Sequence, residues 1–257
     1  MSEKKPVIVL CPGAWCDIGY FRLTTEILTK AGFTCLAVPL PSVGSELRPK
    51  DSPPITQGLQ TDANAVRDVI IPQLDLGNDV VVVCHSYGGV VTSEAVKDLD
   101  RASRGTDTGA VIHLVYVAAI ILDVGNTVWP EGKPPTDQFI IDGDLCVQNP
   151  NMPGAERWLA GCDAEQMALV AASVRSHAHV CFGQPTTHAG WRHIPATYVR
   201  AGKDLMPNMI DNAPEGNKFK DIVVVDEADH FAFCSAPEQI AEIVQKAAEK
   251  AVRGTAA

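Results

Sequence analysis

The sequence predicts an α/β fold: a mostly parallel six-stranded sheet with helices on both faces and a cap insertion. Three observations predict it. Short runs rich in β-branched and aromatic residues alternate with helix-patterned segments along the chain. Val80–Val83 is apolar without alternation, the pattern of a strand buried on both faces of a parallel sheet. The rhythm breaks once, between Asp123 and Pro195, over a stretch rich in Gly, Pro, Trp and His; at about 70 residues it is too long for a plain loop in a compact domain.

The expected strands are 6–10 ("PVIVL"), 33–40 ("FTCLAVPL"), 79–85 ("DVVVVCH"), 110–119 ("AVIHLVYVAA"), 196–202 ("ATYVRAG") and 221–226 ("DIVVVD"). Parallel neighbours need crossovers, and helical patterns at about 20–31, 57–71, 88–100, 164–176 and 236–252 supply them. In 88–100 the apolar residues Val90, Val91, Ala95, Val96 and Leu99 recur near helical spacing. Pro and Ser content marks 39–54 as a loop. Residues 1–123 and 191–257 therefore read as the core. Residues 124–190 read as a cap over the carboxyl edge of the sheet, where open α/β sheets bind ligands.

Composition narrows the function classes. The chain has 257 residues, 46% hydrophobic and 20% charged, enough for a substantial core. Thirty-one acidic residues against 21 Lys and Arg give a net charge of −10, which argues against a nucleic-acid or anionic-membrane surface. The opening "MSEKKPVIVL" has too short an apolar run for a secretory signal, and no run is long enough for a membrane span. Eight scattered cysteines without a CxxC pair read as reduced core residues of a cytoplasmic protein.

Ser86 stands where the strand at 79–85 gives way to the helix at 88. A serine on such a bend is lifted above the sheet edge, as in the nucleophile elbow G-x-S-x-G. Here the pattern is Cys84-His85-Ser86-Tyr87-Gly88, with a small cysteine in place of the first glycine. A serine hydroxyl needs a base and an acid to orient that base, in the chain order Ser, acid, His, each on a loop after a strand. His230 lies just past the last strand and before the final helix, the required place. His85 neighbours the serine, His113 sits inside a strand, and His177, His179, His188 and His193 belong to the break. For the acid, Asp204 ends the penultimate strand and is preferred to Asp123, which ends the one before. Asp226, Glu227 and Asp229 are too near His230 in sequence to meet it from a separate loop. An oxyanion hole would use the backbone N–H of Tyr87 and that of Ala14, which Gly13 lets turn toward the site. Trp15, Trp191 and Phe231 lie near these loops and are the candidate pocket walls. His177, His179 and Cys181 lack a fourth ligand at standard spacing, so neither metal nor cofactor is expected.

The segments "VIVLCPGAW", "CHSYGGVV", "LVYVAAIILD", "TYVRAGKDLMP" and "DEADHFAFCSAPEQIAEIV" resemble the α/β-hydrolase superfamily. The likeness is to the branch of plant methylesterases, hydroxynitrile lyases and fungal or bacterial esterase-like proteins. It runs from about 6 to 250 and is weakest across the cap. The resemblance implies Ser86 as nucleophile, Asp204 as acid, His230 as base, and Ala14 and Tyr87 as oxyanion donors. It departs at Cys84 and at Pro12, where the branch usually has histidine. In the lyases of the branch a lysine follows the histidine and a threonine replaces the oxyanion-loop glycine; here those positions hold Phe231 and Gly13.

Three function classes follow. The first is hydrolysis of a carboxylic ester or lactone through an acyl-serine. The second uses the same residues as a base for elimination, C–C cleavage or cyclisation in specialised metabolism. The third is a non-catalytic ligand-binding protein on the same scaffold. The expected partner is a small-molecule substrate, with no nucleic acid and no membrane; a homodimer is compatible with the composition.

Overall fold

The computed structural model describes residues 4–44, 58–130, 133–134, 137–149, 158–206, 210, 219 and 221–255. In chain order the first half comprises β1 (Val7–Cys11), α1 (Arg22–Lys30), β2 (Cys35–Ala37), α2 (Gly58–Asp75), β3 (Val80–His85), α3 (Gly88–Ala95), α4 (Arg101–Arg104) and β4 (Val111–Val117). The break contributes β5 (Phe139–Asp142), β6 (Leu145–Gln148), α5 (Ala164–Ser173), β7 (His177–Ala178) and α6 (Val180–Gly183). The chain ends with β8 (Ala196–Ala201), β9 (Asp221–Val225), α7 (Ala232–Ser235) and α8 (Pro237–Thr255).

Six strands form one sheet in the order β2-β1-β3-β4-β8-β9, every neighbouring pair parallel. All six expected strands are present. Side-chain alternation divides the core into two layers. Val7, Val9, Val80 and Val82 face a cluster shared with Leu59, Val66 and Ile70 of α2 and with Val90 and Val91 of α3. Ile8, Leu10, Val81 and Val83 face the opposite cluster, with Leu28 of α1 and Ile240, Ala241 and Val244 of α8. Val80–Val83 have no exposure at all, and burying each stabilises the fold by about 1.5–3 kcal/mol.

Strand order reverses between β1 and β3, since β1 leads outward to β2 while β3 lies on its other side. The loops after β1 and β3 therefore meet at a switch point on the carboxyl edge of the sheet. Gly88 lets them close: a Cβ there would lie 2.6 Å from the Cys11 carbonyl oxygen and 2.5 Å from that of Pro12.

Two details differ from expectation. The helix expected at 88–100 ends at Ala95, because the chain turns through Asp98, at φ 60°, and restarts as α4 behind its N-cap Asp100. The break holds more than one helix: β5, β6 and β7 form an antiparallel sheet of their own. Asp142 pairs with Leu145 around a two-residue turn at Gly143–Asp144, a hairpin signal visible in "FIIDGDLCV". Helix α5 starts on a capping box in which the Asp163 carboxylate accepts from the Gln166 N–H and the Gln166 side chain accepts from the Asp163 N–H. Of the loop expected at 39–54, the part from 45 onward lies outside the described residues. No helix among the described residues is long and apolar enough to cross a membrane.

Four histidines are buried: His85, His113, His177 and His230. Burial lowers His85 and His177 to about 3 and His113 to about 4, so each is neutral in the native state. Once unfolded they titrate near 6.5, and the unfolded chain then binds the extra protons. Stability is therefore lost as pH falls below about 6.5, by up to about 1.4 kcal/mol per pH unit for each histidine. Asp62, raised by burial to about 6, holds its proton in the folded state and opposes this between about 4 and 6, one group against three. Urea unfolding at pH 7, 6 and 5 should show falling stability; constant or rising stability on acidification would contradict it.

Candidate active site

From Val80 to Val96 every residue is buried except Ser86. The serine holds φ at 50°, a left-handed conformation that L-residues adopt at a cost of about 1–2 kcal/mol. The turn is pinned by its own backbone: the Ser86 N–H donates to the Val117 carbonyl at 3.4 Å, and its carbonyl accepts from Gly89 at 3.0 Å and Ile120 at 2.9 Å. Cys84 is fully buried below the turn. Strand, strained turn and helix together leave one hydroxyl facing out of an otherwise closed segment.

His230 reaches that hydroxyl, with Nε2 3.2 Å from Ser86 Oγ. Its Nδ1 lies 2.8 Å from Asp204 Oδ2, so Nδ1–H donates to the carboxylate and Nε2 is left to accept from the serine. Burial raises the Asp204 carboxyl, but the His230 charge and hydrogen bond outweigh it and leave the pKa below the usual value. The alternative acid, Asp123, is drawn elsewhere: it pairs with Arg192, accepting from Nε at 2.9 Å and also from Nη2. Asp229 supports the loop. Its Oδ1 accepts from Phe231 N–H and Ser235 Oγ, both at 2.9 Å, and its Oδ2 accepts from Gly161 N–H at 2.9 Å.

The loop after β1 is held on both sides of Ala14. Gly13 N–H donates to Tyr20 Oη at 2.9 Å, and Trp15 N–H donates to His177 Nδ1 at 3.1 Å. The N–H groups of Ala14 and Tyr87 donate to no acceptor among the described residues. Gly13 packs against the bend itself, since a Cβ there would sit 2.9 Å from His85 Nδ1 and 3.1 Å from Ser86 Cβ.

Of the candidate pocket walls, Trp15 is buried against residues of the 124–190 segment. Its ring stacks on Phe139 at 4.5 Å and Phe182 at 5.1 Å, and its Nε1–H donates to the Cys146 carbonyl at 3.0 Å. Phe231 packs into the layer with Tyr20 and His85, at ring distances of 5.5 and 5.4 Å. The structure does not bring Trp191 to the serine. It lines a groove of about 930 Å³ with His113, Pro195, Phe219 and Lys250, near the amino ends of β4, β8 and β9; Ser86, Asp204 and His230 do not line it. Trp158, not among the candidate pocket walls, lies beside His230 at a ring distance of 5.5 Å.

His177 of β7 joins a buried cluster that the sequence did not reveal. Its Nε2 lies 3.0 Å from Ser42 Oγ, which donates to Asp62 Oδ2 at 2.5 Å; Tyr87 Oη donates to the same oxygen at 3.1 Å. Asp62, His177 and Cys181 bring ligand-type atoms within 4.8 Å of one another, and His179 is not in the group. Both His177 nitrogens are already used, by Trp15 and Ser42, so the cluster is a hydrogen-bond network. Tyr20, His85 and Asp62 were missed as site-supporting residues. Their one sequence signal is a polar side chain inside an apolar pattern, which demands a partner without naming it.

A parallel α/β sheet with a serine on a buried strand–helix turn, joined to a histidine and an aspartate from two later loops, defines the class of this protein as hydrolase-like. The profile of the alpha/beta hydrolase family matches residues 8–243, and the chain belongs to that family. It is 29% identical over 255 residues to the alpha/beta hydrolase nvfD of Aspergillus novofumigatus, covering 96% of this chain and 98% of that protein. It is 23% identical over 280 residues to putative methylesterase 19 of Arabidopsis thaliana, covering 97% and 99% of the two chains. Among solved structures, a pyrethroid hydrolase from Sphingobium faniae shares the fold with a TM-score of 0.71 at 20% identity, over 95% of this chain and 97% of that one.

The packing of Gly13 makes a test. In Gly13→Ala the new methyl meets His85, which two hydrogen bonds hold in place, so the loop itself must shift. Overpacking of this kind should cost about 1–3 kcal/mol, read as a lowered Tm in thermal denaturation. An unchanged Tm would mean that the loop is not held as described.

Proposed function

We propose that this protein is a serine hydrolase that cleaves a carboxylic ester or lactone of a small molecule through an acyl-Ser86 intermediate. The observation that carries the reading is the continuous hydrogen-bond chain Ser86–His230–Asp204, at 3.2 and 2.8 Å, ending in the one residue of the bend that is not buried.

In this reading His230 Nε2 takes the serine proton as Ser86 Oγ bonds to the acyl carbon. Asp204, kept ionised, steadies the imidazolium through Nδ1–H. The oxyanion accepts hydrogen bonds from Ala14 and Tyr87 N–H. Collapse breaks the C–O bond, and His230 returns its proton to the leaving alkoxide. Water then repeats the sequence: it loses a proton to His230, attacks the acyl carbon, and frees the carboxylate and Ser86. The methylesterase and pyrethroid-hydrolase names of similar proteins support an ester substrate. Phe231 supports hydrolysis over cyanohydrin cleavage. It is uncharged and packed against Tyr20, so it offers nothing to a departing cyanide where the resembling lyases have lysine. Eight free thiols support a reducing, cytoplasmic setting.

Ser86→Ala should lower kcat by a factor on the order of 10⁴–10⁶ on any ester the wild type turns over, with the fold unchanged by circular dichroism. Asp204→Asn should cost about 10⁴, because the imidazole is left in the wrong tautomer, whereas Asp123→Asn should stay near wild type. The reverse order of the two aspartate variants would move the acid. Mass spectrometry of quenched His230→Ala incubated with an activated ester should find the acyl group on Ser86. Cleavage of mandelonitrile with no acyl adduct on any ester tested would sink the hydrolase reading.

A further inference from the structure

Beneath the serine, two residues with no place in the chemistry above are joined into a single buried chain. Tyr20 has no exposure and His85 has 1%. Tyr20 Oη accepts the Gly13 N–H at 2.9 Å and lies 2.9 Å from His85 Nδ1, while His85 Nε2 lies 2.7 Å from the His230 carbonyl oxygen. The partners fix every proton. A carbonyl only accepts, so His85 Nε2 carries the hydrogen; Nδ1 is then a lone pair, and the Tyr20 hydroxyl donates to it. The hydroxyl oxygen keeps a lone pair for Gly13. No donor or acceptor in the chain is left over, and the rings of Phe21, Phe231 and Phe233 pack at 4.3 to 6.2 Å from Tyr20. Burial keeps His85 neutral, which preserves this direction of donation.

We propose that Tyr20 and His85 are positioning residues: one buried hydrogen-bond chain sets the oxyanion loop at Gly13 and the backbone of His230 relative to each other. The proposal rests on the hydrolase reading and deepens it. The loop that offers Ala14 N–H and the loop that carries the base leave the sheet from β1 and β9, four places apart in strand order, and share no strand contact that would fix their spacing. The chain Gly13–Tyr20–His85–His230 spans that distance. Its middle member, His85, adjoins Ser86 in sequence, so loop, nucleophile and base are referred to one ring. Gly13 packs directly on this ring, where a Cβ would meet His85 Nδ1.

The test compares kcat, KM and the rate of Ser86 labelling by a fluorophosphonate across four variants. Tyr20→Phe keeps the ring and removes the hydroxyl; kcat and the labelling rate should fall about ten- to a hundredfold, with KM within about twofold. His85→Leu should lose as much, whereas His85→Gln, which keeps an N–H for the carbonyl and an oxygen for the hydroxyl, should recover most of the rate. Phe233→Leu, a loosened neighbour in the same cage, should lower Tm without this loss, which separates positioning from stability. Tyr20→Phe labelled and turning over at the wild-type rate overturns the proposal. If Tyr20→Phe does not fold, equal rates in His85→Gln and His85→Leu overturn it. A wild type that labels on no serine overturns the hydrolase reading and this proposal with it, whereas loss confined to the variants bears on the relay alone.

Discussion

The backbone of Ser86 is held at φ 50°, and the site depends on that constraint. A left-handed serine persists only where its surroundings over-determine it. Here β3 enters the bend with no exposed residue, α3 leaves it equally buried, and Gly88 lets the helix start touch the carbonyls of Cys11 and Pro12. Burial of both flanks offsets the local strain, and the strain in turn keeps the hydroxyl above the sheet, where a side chain from another loop can reach it.

The same constraint organises the loop after β1. Its N–H groups alternate in use: Gly13 is tied to Tyr20, Trp15 to His177, and Ala14 between them has no acceptor among the described residues. One anchor follows β1 and the other lies in β7. Through His177 the loop also joins Ser42 and Asp62, and through Asp62 the hydroxyl of Tyr87 on the bend. Burial raises the Asp62 carboxyl to about 6, against the lowering effect of its hydrogen bonds from Ser42 and Tyr87. The 124–190 segment is thus fastened to the loop after β1 by hydrogen bonds as well as by the stacked rings around Trp15.

Much of the fold could be read along the chain because the signals are local. Val80–Val83 can only be a strand closed on both faces, and residues 237–255 carry the apolar spacing of one helix face over a whole element. The serine was legible for the same reason, as it interrupts a buried run at the place where the period changes. Other features failed for want of a local signal. Asp204 and Asp123 each end a strand, and only the pairing of Asp123 with Arg192 and of Asp204 with His230 separates them. Trp191 lies near the later loops in sequence, yet it faces the amino ends of the strands. Phe231 follows the histidine directly, and its ring packs edge-on against Tyr20 in the core.

By itself the sequence determined the order of strands and helices, the bend at Ser86 and the position of His230 after the last strand. These follow from periodicity, from small residues at a sharp turn and from chain order, which are properties of neighbouring residues. Only the tertiary structure decided which aspartate meets His230, that residues 139–178 carry a three-stranded sheet fastened through His177, and that Tyr20 and His85 tie Gly13 to His230. Apart from Gly13 and Tyr20, which are 7 positions apart, those contacts join residues 26 to 162 positions apart. A buried hydrogen bond needs a donor and an acceptor within about 3 Å, and periodicity says that a polar side chain inside the core must have a partner without saying which one the packing delivers.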